Sequence, residues 1–266
     1  MFRSLIASLL LVLAPAAFAE SPVTGRPQQM SFSRQAVQAV AAKAYHQTLQ
    51  QLDARGQLDT DPRRLKRVRD ITARLIAQAI QLKPAAATWP WEVHVTSDPQ
   101  VAAYSMAGGK LLVGSHFIDA YQLNDGELAV ALAHEIGHVI AEHVREQISL
   151  AASFEPPAPH MTLKVADVVN DMNTDISIYL RLQPLSRLQE MEADDIGIEL
   201  AGRAGVAPTT IKRFYAKLTR HDGGQSLFDT HGSSRQRRAF AVSMASYAAE
   251  EYQQGQGRPL ARYPLR

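Results

Sequence analysis

The sequence contains no cysteine. That absence excludes disulfide bonds, thiolate zinc sites, cysteine nucleophiles and lipid attachment to an N-terminal cysteine. An exported chain of this kind must rely on its core, and on any metal it holds, for stability. A surplus of one charge is also missing: 28 basic and 26 acidic residues leave a formal net charge of +2 over 266 residues. Such a balance does not suggest nucleic acid as a partner. Beyond the first twenty residues no long apolar run is free of charges, and no internal repeat or low-complexity segment occurs. The mature chain is therefore expected to be soluble, with at most peripheral membrane association. What is present suffices for a core: 46% of the residues are hydrophobic and 20% charged.

Residues 1–19, "MFRSLIASLLLVLAPAAFA", have the pattern of a secretory signal peptide. Arg3 supplies the positive start, Leu5 to Leu13 the apolar stretch, and Ala17-Phe18-Ala19 a small-x-small cleavage site before Glu20. The other reading, a membrane anchor, asks for about 20 uninterrupted apolar residues, more than are found here. The expectation is export to the periplasm, possible association with the outer membrane included, and a single domain over residues 20–266. Within it, 20–30 is expected to be a flexible leader, 31–90 N-terminal helices, and 91–266 a catalytic core.

Apolar spacing predicts a helix from Ser33 to Leu52, and Asp61-Pro62 marks a cap and first turn for another running to Leu82. The basic run "RRLKRVR" in that second helix would suit a nucleic acid or lipid patch, but reads better as the solvated face of an amphipathic helix. Alternation in "WEVHVT" (91–96) predicts a half-buried strand, and two short strands should flank Gly108-Gly109. Asn124 and Glu127 form a capping-box pair ahead of a helix that is apolar on every side from Leu128 to Ile140. Residues 154–160 read as a break, Met161 to Leu182 as helical, and Pro184 as the start of a further helix ending near Gly205. The fold class is α+β: mostly helical, with a small central sheet.

The buried helix carries "HEIGH". Positions four apart share one helix face, so His134 and His138 can offer nitrogens to one zinc ion. Glu135 then stands beside the metal, where a base must be to take a proton from water. The alternative is a pair of core histidines with ordinary hydrogen bonds. Against it stands the cost of burying two imidazoles and a carboxylate in an apolar helix without partners. A hydrolytic zinc wants a third protein ligand. A third histidine close by fails, because residues 144 and 148 are Val and Ile and His143 lies off the His138 face. The choice falls on Glu190 in "SRLQEMEADD", with Asp194 four residues on to accept the second N–H of a ligand histidine. Gly197 and Ala201 extend the same face with small side chains, which lets the two helices approach closely. Glu192 points elsewhere and is expected to be a solvated carboxylate.

"HEIGH" followed some fifty residues later by "SRLQEMEADDIG" resembles the HtpX and CAAX-prenyl-protease type of zinc metallopeptidase. The likeness extends to "VAAYSMAGGKLLVGSHFI" before the active helix and to "DTHGSSRQRR" near the end, with Gly232, Ala102 and Ala107 departing from the pattern. The exported bacterial envelope subgroup is the nearer match. The resemblance implies a zincin-like gluzincin fold and one zinc on His134, His138 and Glu190, with Glu135 as base and acid. It also implies that His231 steadies the oxyanion or blocks the metal at rest, and that Arg237 supports it.

The expected activity is zinc-dependent endopeptidase cleavage of unfolded or misassembled cell-envelope proteins, a quality-control role. The substrate is expected to pair as an added strand along Lys110, Leu111, Leu112 and Val113. The alternative is a non-catalytic zinc-containing chaperone or assembly scaffold, which an intact Glu135 disfavours.

Overall fold

A computed structural model describes residues 17–154, 163–221, 239, 242–244, 247–255 and 261–265. Two short strands, β1 (Ala17–Glu20) and β2 (Pro27–Met30), pair antiparallel at the N-terminal end. Helix α1 (Arg34–Ala54) is capped by Ser33, whose hydroxyl accepts from the Ala36 amide. Helix α2 (Pro62–Leu82) starts at Pro62 as expected, with the Asp61 carboxylate accepting from the Arg63 and Arg64 amides. Val68, Ile71, Leu75 and Ile76 face the core. The basic run lies on the outer face, where Arg64, Lys66 and Arg67 pair with Asp119, Asp70 and Asp125.

A 3-10 turn (Pro84–Thr88) leads into the sheet. Its strands β3 (Glu92–Thr96), β4 (Ala103–Met106) and β5 (Lys110–Gly114) lie in the order β3-β5-β4. Strand β5 is parallel to β3 and antiparallel to β4. Gly108 and Gly109 turn the chain between β4 and β5 with φ of +84° and +80°, a conformation costly for any residue with a Cβ. The expected substrate strand needs correction here. Lys110 to Val113 belong to the central strand, hydrogen-bonded on both sides and fully buried, so no further strand can add to them. Among the described residues, the sheet edge without a partner strand beside the active helix is that of β4.

After α3 (Ser115–Ala120) comes α4 (Asp125–Ile140), the centre of the molecule. The Asn124 side chain accepts from the Glu127 amide while the Glu127 carboxylate accepts from the Asn124 amide, closing the predicted capping box. Every residue from Glu127 to Ile140 except His138 is buried. Helix α5 (His143–Phe154) follows at once, because Glu142 takes a left-handed φ of +57° and reverses the chain. Then come α6 (Val165–Thr174), α7 (Ile176–Arg203), α8 (Pro208–His221) and a C-terminal helix, Tyr247–Gly255. Among the described residues no helix is long and apolar enough to cross a membrane. The architecture is α+β, with helices around a small three-stranded mixed sheet and a separate two-stranded antiparallel pair.

Two expectations about boundaries are corrected. Pro184 lies inside α7 instead of starting it; the helix begins at Ile176, where the Asp175 carboxylate accepts from the Ser177 amide. Pro184 is exposed on that helix, as is Leu180, whose carbonyl loses its i+4 donor. Residues 20–30 are packed instead of forming a loose leader. Ser21, Gln28 and Met30 are buried, and Arg26 bridges Glu146 on α5 and Glu192 on α7. Residues 1–16 of the expected signal peptide lie outside the described residues, and cleavage before Glu20 would remove three of the four residues of β1.

Candidate active site

Helix α7 crosses α4 at closest range where both carry glycine. A Cβ on Gly197 would lie 2.8 Å from the His134 amide nitrogen, and one on Gly137 would lie 2.9 Å from the Ala193 carbonyl oxygen. Backbone therefore touches backbone, and the short Asp194 carboxylate reaches a histidine on the other helix. That approach brings Glu190 to the imidazoles of His134 and His138, all three donor atoms lying within 4.8 Å of one another. The two Nε2 atoms are 3.1 Å apart. One Glu190 oxygen is 3.4 Å from His134 Nε2 and the other 3.4 Å from His138 Nε2.

These separations test whether a metal fits. Ligands held at about 2.1 Å around a tetrahedral zinc stand about 3.4 Å from one another. Two imidazole nitrogens and a carboxylate at this spacing are a donor set that zinc accepts, with a fourth position left over. Burial pushes the His138 imidazole down to about 4, so at neutral pH it offers a lone pair instead of a positive charge. Glu135 is buried one residue along from His134, and its carbonyl accepts a hydrogen bond from Ser105 Oγ at 3.0 Å. That bond ties the edge strand β4 to the helix that carries the base.

Asp194 is fully buried, with Oδ1 2.9 Å from His134 Nδ1. The Tyr215 hydroxyl on α8 donates to the same Oδ1 at 2.7 Å. A carboxylate on Nδ1 makes His134 carry its proton there and leaves Nε2 bare toward Glu190. His138 has a different support: its Nδ1 lies 2.9 Å from His143 Nδ1, and His143 Nε2 lies 3.2 Å from Glu192. His143 lies outside the three-donor group but contacts a member of it. The solvated reading of Glu192 is overturned, since the residue is only 4% exposed and meets His143, Arg26 and Thr24. Burial alone would raise its carboxyl, but the hydrogen bonds from His143, Thr24 and Arg26 outweigh it and hold the group well below the usual carboxylate range. His231 and Arg237 lie outside the described residues.

Residues 62–245 match peptidase family M48. The chain belongs to this family. Among curated M48-type relatives, it is 36% identical over 151 residues to the mitochondrial metalloendopeptidase OMA1 of Arabidopsis thaliana, covering 55% of this chain and 30% of that protein. It is 32% identical over 160 residues to the metalloprotease YcaL of Escherichia coli, covering 55% and 58% respectively. With the beta-barrel assembly-enhancing protease of Yersinia pestis it shares 25% identity over 179 residues, 64% of this chain and 36% of that one. The chain thus spans from under a third to somewhat over half of these relatives' lengths. Zinc is the metal of M48 peptidases, and the donor set described above suits it.

Proposed function

We propose that this chain is a zinc metalloendopeptidase of the bacterial cell envelope, exported to the periplasm, that hydrolyses unfolded or misassembled envelope proteins. The observation that carries the reading is the convergence of His134, His138 and Glu190 donors from two helices beside a buried glutamate. In this reading the three donors hold one zinc ion. A bound zinc supplies positive charge that polarises a peptide carbonyl and favours deprotonation of water. Glu135 takes one proton from the attacking water and passes it to the amine nitrogen as the C–N bond breaks. Asp194, itself held by Tyr215, keeps His134 in the tautomer whose Nε2 is bare. His231 is proposed to stabilise the oxyanion or to cover the metal at rest, with Arg237 supporting it, on the strength of the family resemblance.

Substrate is proposed to pair with β4, Ala103–Met106, the edge beside the active helix. Backbone pairing of that kind reads extended chain more than particular side chains. Next to His138 a shallow hollow is lined by Val37, Trp89, Met106 and Val139 together with the charged Arg34, Glu142 and Arg145. Unfolded proteins present such extended backbone, and the relatives include a mitochondrial metalloendopeptidase and a beta-barrel assembly-enhancing protease.

The test is digestion of casein and of an unfolded outer-membrane protein by the full-length chain. Activity should disappear on chelation, return with zinc, and be absent in Glu135→Gln. His231→Ala should lower turnover with zinc retained. A Glu135→Gln protein that keeps its metal and fully replaces the wild type in cells would point to a scaffold and refute the peptidase reading.

A further inference from the structure

Two ligand candidates on one helix are supported by carboxylates in two different ways. Asp194 reaches His134 directly. Among the described residues, His138 Nδ1 meets a second imidazole, with the His138 and His143 rings edge to face at 79° and Nδ1 to Nδ1 at 2.9 Å. Two imidazole nitrogens at that distance share one proton, so one of them donates and the other accepts. Which one donates is decided at the far side of His143. There Nε2 faces Glu192 Oε2 at 3.2 Å, and that same oxygen receives Arg26 Nε at 2.8 Å. A carboxylate held by a guanidinium can only accept, so His143 carries its proton on Nε2. Its Nδ1 is then bare and accepts from His138 Nδ1–H, which leaves His138 Nε2 bare toward Glu190.

Arg26 is built into this chain from both ends. Its Nη1 and Nη2 take the two Glu146 oxygens at 2.6 and 2.7 Å, and Glu146 also accepts from Gln28 and Gln189. Arg26 thus ties two buried carboxylates, Glu146 and Glu192, to one cation and fixes where Glu192 stands. Without the guanidinium, Glu192 Oε2 would lose the contact that holds it against His143 Nε2.

We propose that His143, Glu192 and Arg26 form a positioning relay that fixes the tautomer and orientation of His138 for the metal. Arg26 precedes the residues that match the peptidase family, so a segment outside the family's own span completes the site. The relay rests on the reading of His134, His138 and Glu190 as zinc ligands.

The experiment is a zinc titration of full-length protein stripped by chelation, read by competition with a chromophoric chelator, and repeated with cobalt to record its absorption spectrum. His143→Gln, Glu192→Gln and Arg26→Gln should each weaken zinc binding by roughly 10 to 100-fold and shift the cobalt spectrum. Arg26→Lys, which keeps the charge, should recover part of the loss. Because the three act in series, His143→Gln combined with Glu192→Gln should cost about as much as either alone. Long-range proton–nitrogen spectra of the wild-type histidine rings need no variant to fold and should place the protons on His138 Nδ1 and His143 Nε2. Wild-type zinc affinity in Glu192→Gln and His143→Gln, alongside loss of zinc in Glu190→Ala, overturns the relay and leaves the ligand reading standing. A proton on His143 Nδ1 also overturns it. A wild-type chain that takes up no zinc overturns both.

Discussion

Replacing Gly197 with alanine perturbs the site without touching any group that bears chemistry. The added methyl would lie 2.8 Å from the His134 amide nitrogen, 2.9 Å from its Cα and 3.1 Å from the Ala133 carbonyl carbon. All three are backbone atoms of a buried helix and cannot rotate away. Ordinary contact begins at 3.4 Å, so α7 must back away from α4 by about half an ångström. Overpacking of this kind costs about 1–3 kcal/mol, against a gain of about 1 kcal/mol for alanine over glycine within a helix. The apoprotein should therefore lose only about 0–2 kcal/mol. The metal site suffers more, because Glu190 and Asp194 ride on the displaced helix while His134 and His138 do not, and a productive site tolerates about 0.5 Å. Zinc affinity should fall at least tenfold, about 1.4 kcal/mol or more. Gly202→Ala is the control: it lies on the same helix, but its methyl would meet Ala248 and Glu251 of the C-terminal helix at 3.1 and 3.3 Å. Zinc titration and urea unfolding of both variants as apoproteins decide the matter. A Gly197→Ala chain that binds zinc as tightly as wild type would refute the close-approach argument.

Glu142 makes a pH prediction. Burial would raise its carboxyl, but hydrogen bonds and charge from Arg34, Lys83 and Arg145 overcome that and lower it to about 2. A carboxylate lowered on folding adds stability above its unfolded value near 4.5, and that stability drains away as the pH falls toward 2. A displacement of this size corresponds to at most about 3 kcal/mol. Urea unfolding at pH 6 and pH 3 should show the loss in wild type and a shallower one in Glu142→Gln; equal slopes would contradict it. Tyr215→Phe removes the hydroxyl donor to the fully buried Asp194 carboxylate, and should cost about 1–3 kcal/mol in apoprotein stability with a few-fold loss of zinc affinity. Unchanged unfolding would mean that Tyr215 does not support the carboxylate.

What the sequence made legible was local. The Asp61-Pro62 start, the Asn124-Glu127 capping box and the turn at Gly108-Gly109 are each written in residues whose chemistry has one conformational use. Glu190 and Asp194 were legible because helical spacing and the small residues beyond them place both carboxylates toward α4. The role of His143 was not, because its position depends on Glu142 at φ +57°. Such a reversal is signalled by glycine or asparagine, and glutamate gives no such sign. The burial of Glu192 is not written locally, since its partners Arg26 and Thr24 stand more than 160 positions away in the chain. The same long-range pairing turned an apparent leader into packed structure. The central place of strand β5 is hidden in the sequence because apolar content does not tell a central strand from an edge strand; only the pairing does. Pro184 has the chemistry of a helix start, yet an exposed helix tolerates it in its interior when the orphaned carbonyl can reach water.

The most direct test is zinc per chain, measured by elemental analysis on purified wild type and on Glu190→Ala after identical dialysis. One zinc per wild-type chain and nearly none in the variant is the predicted result. A variant that keeps a full equivalent of zinc, or a wild type that holds none after zinc is supplied, would contradict the convergence of His134, His138 and Glu190 on a single cation.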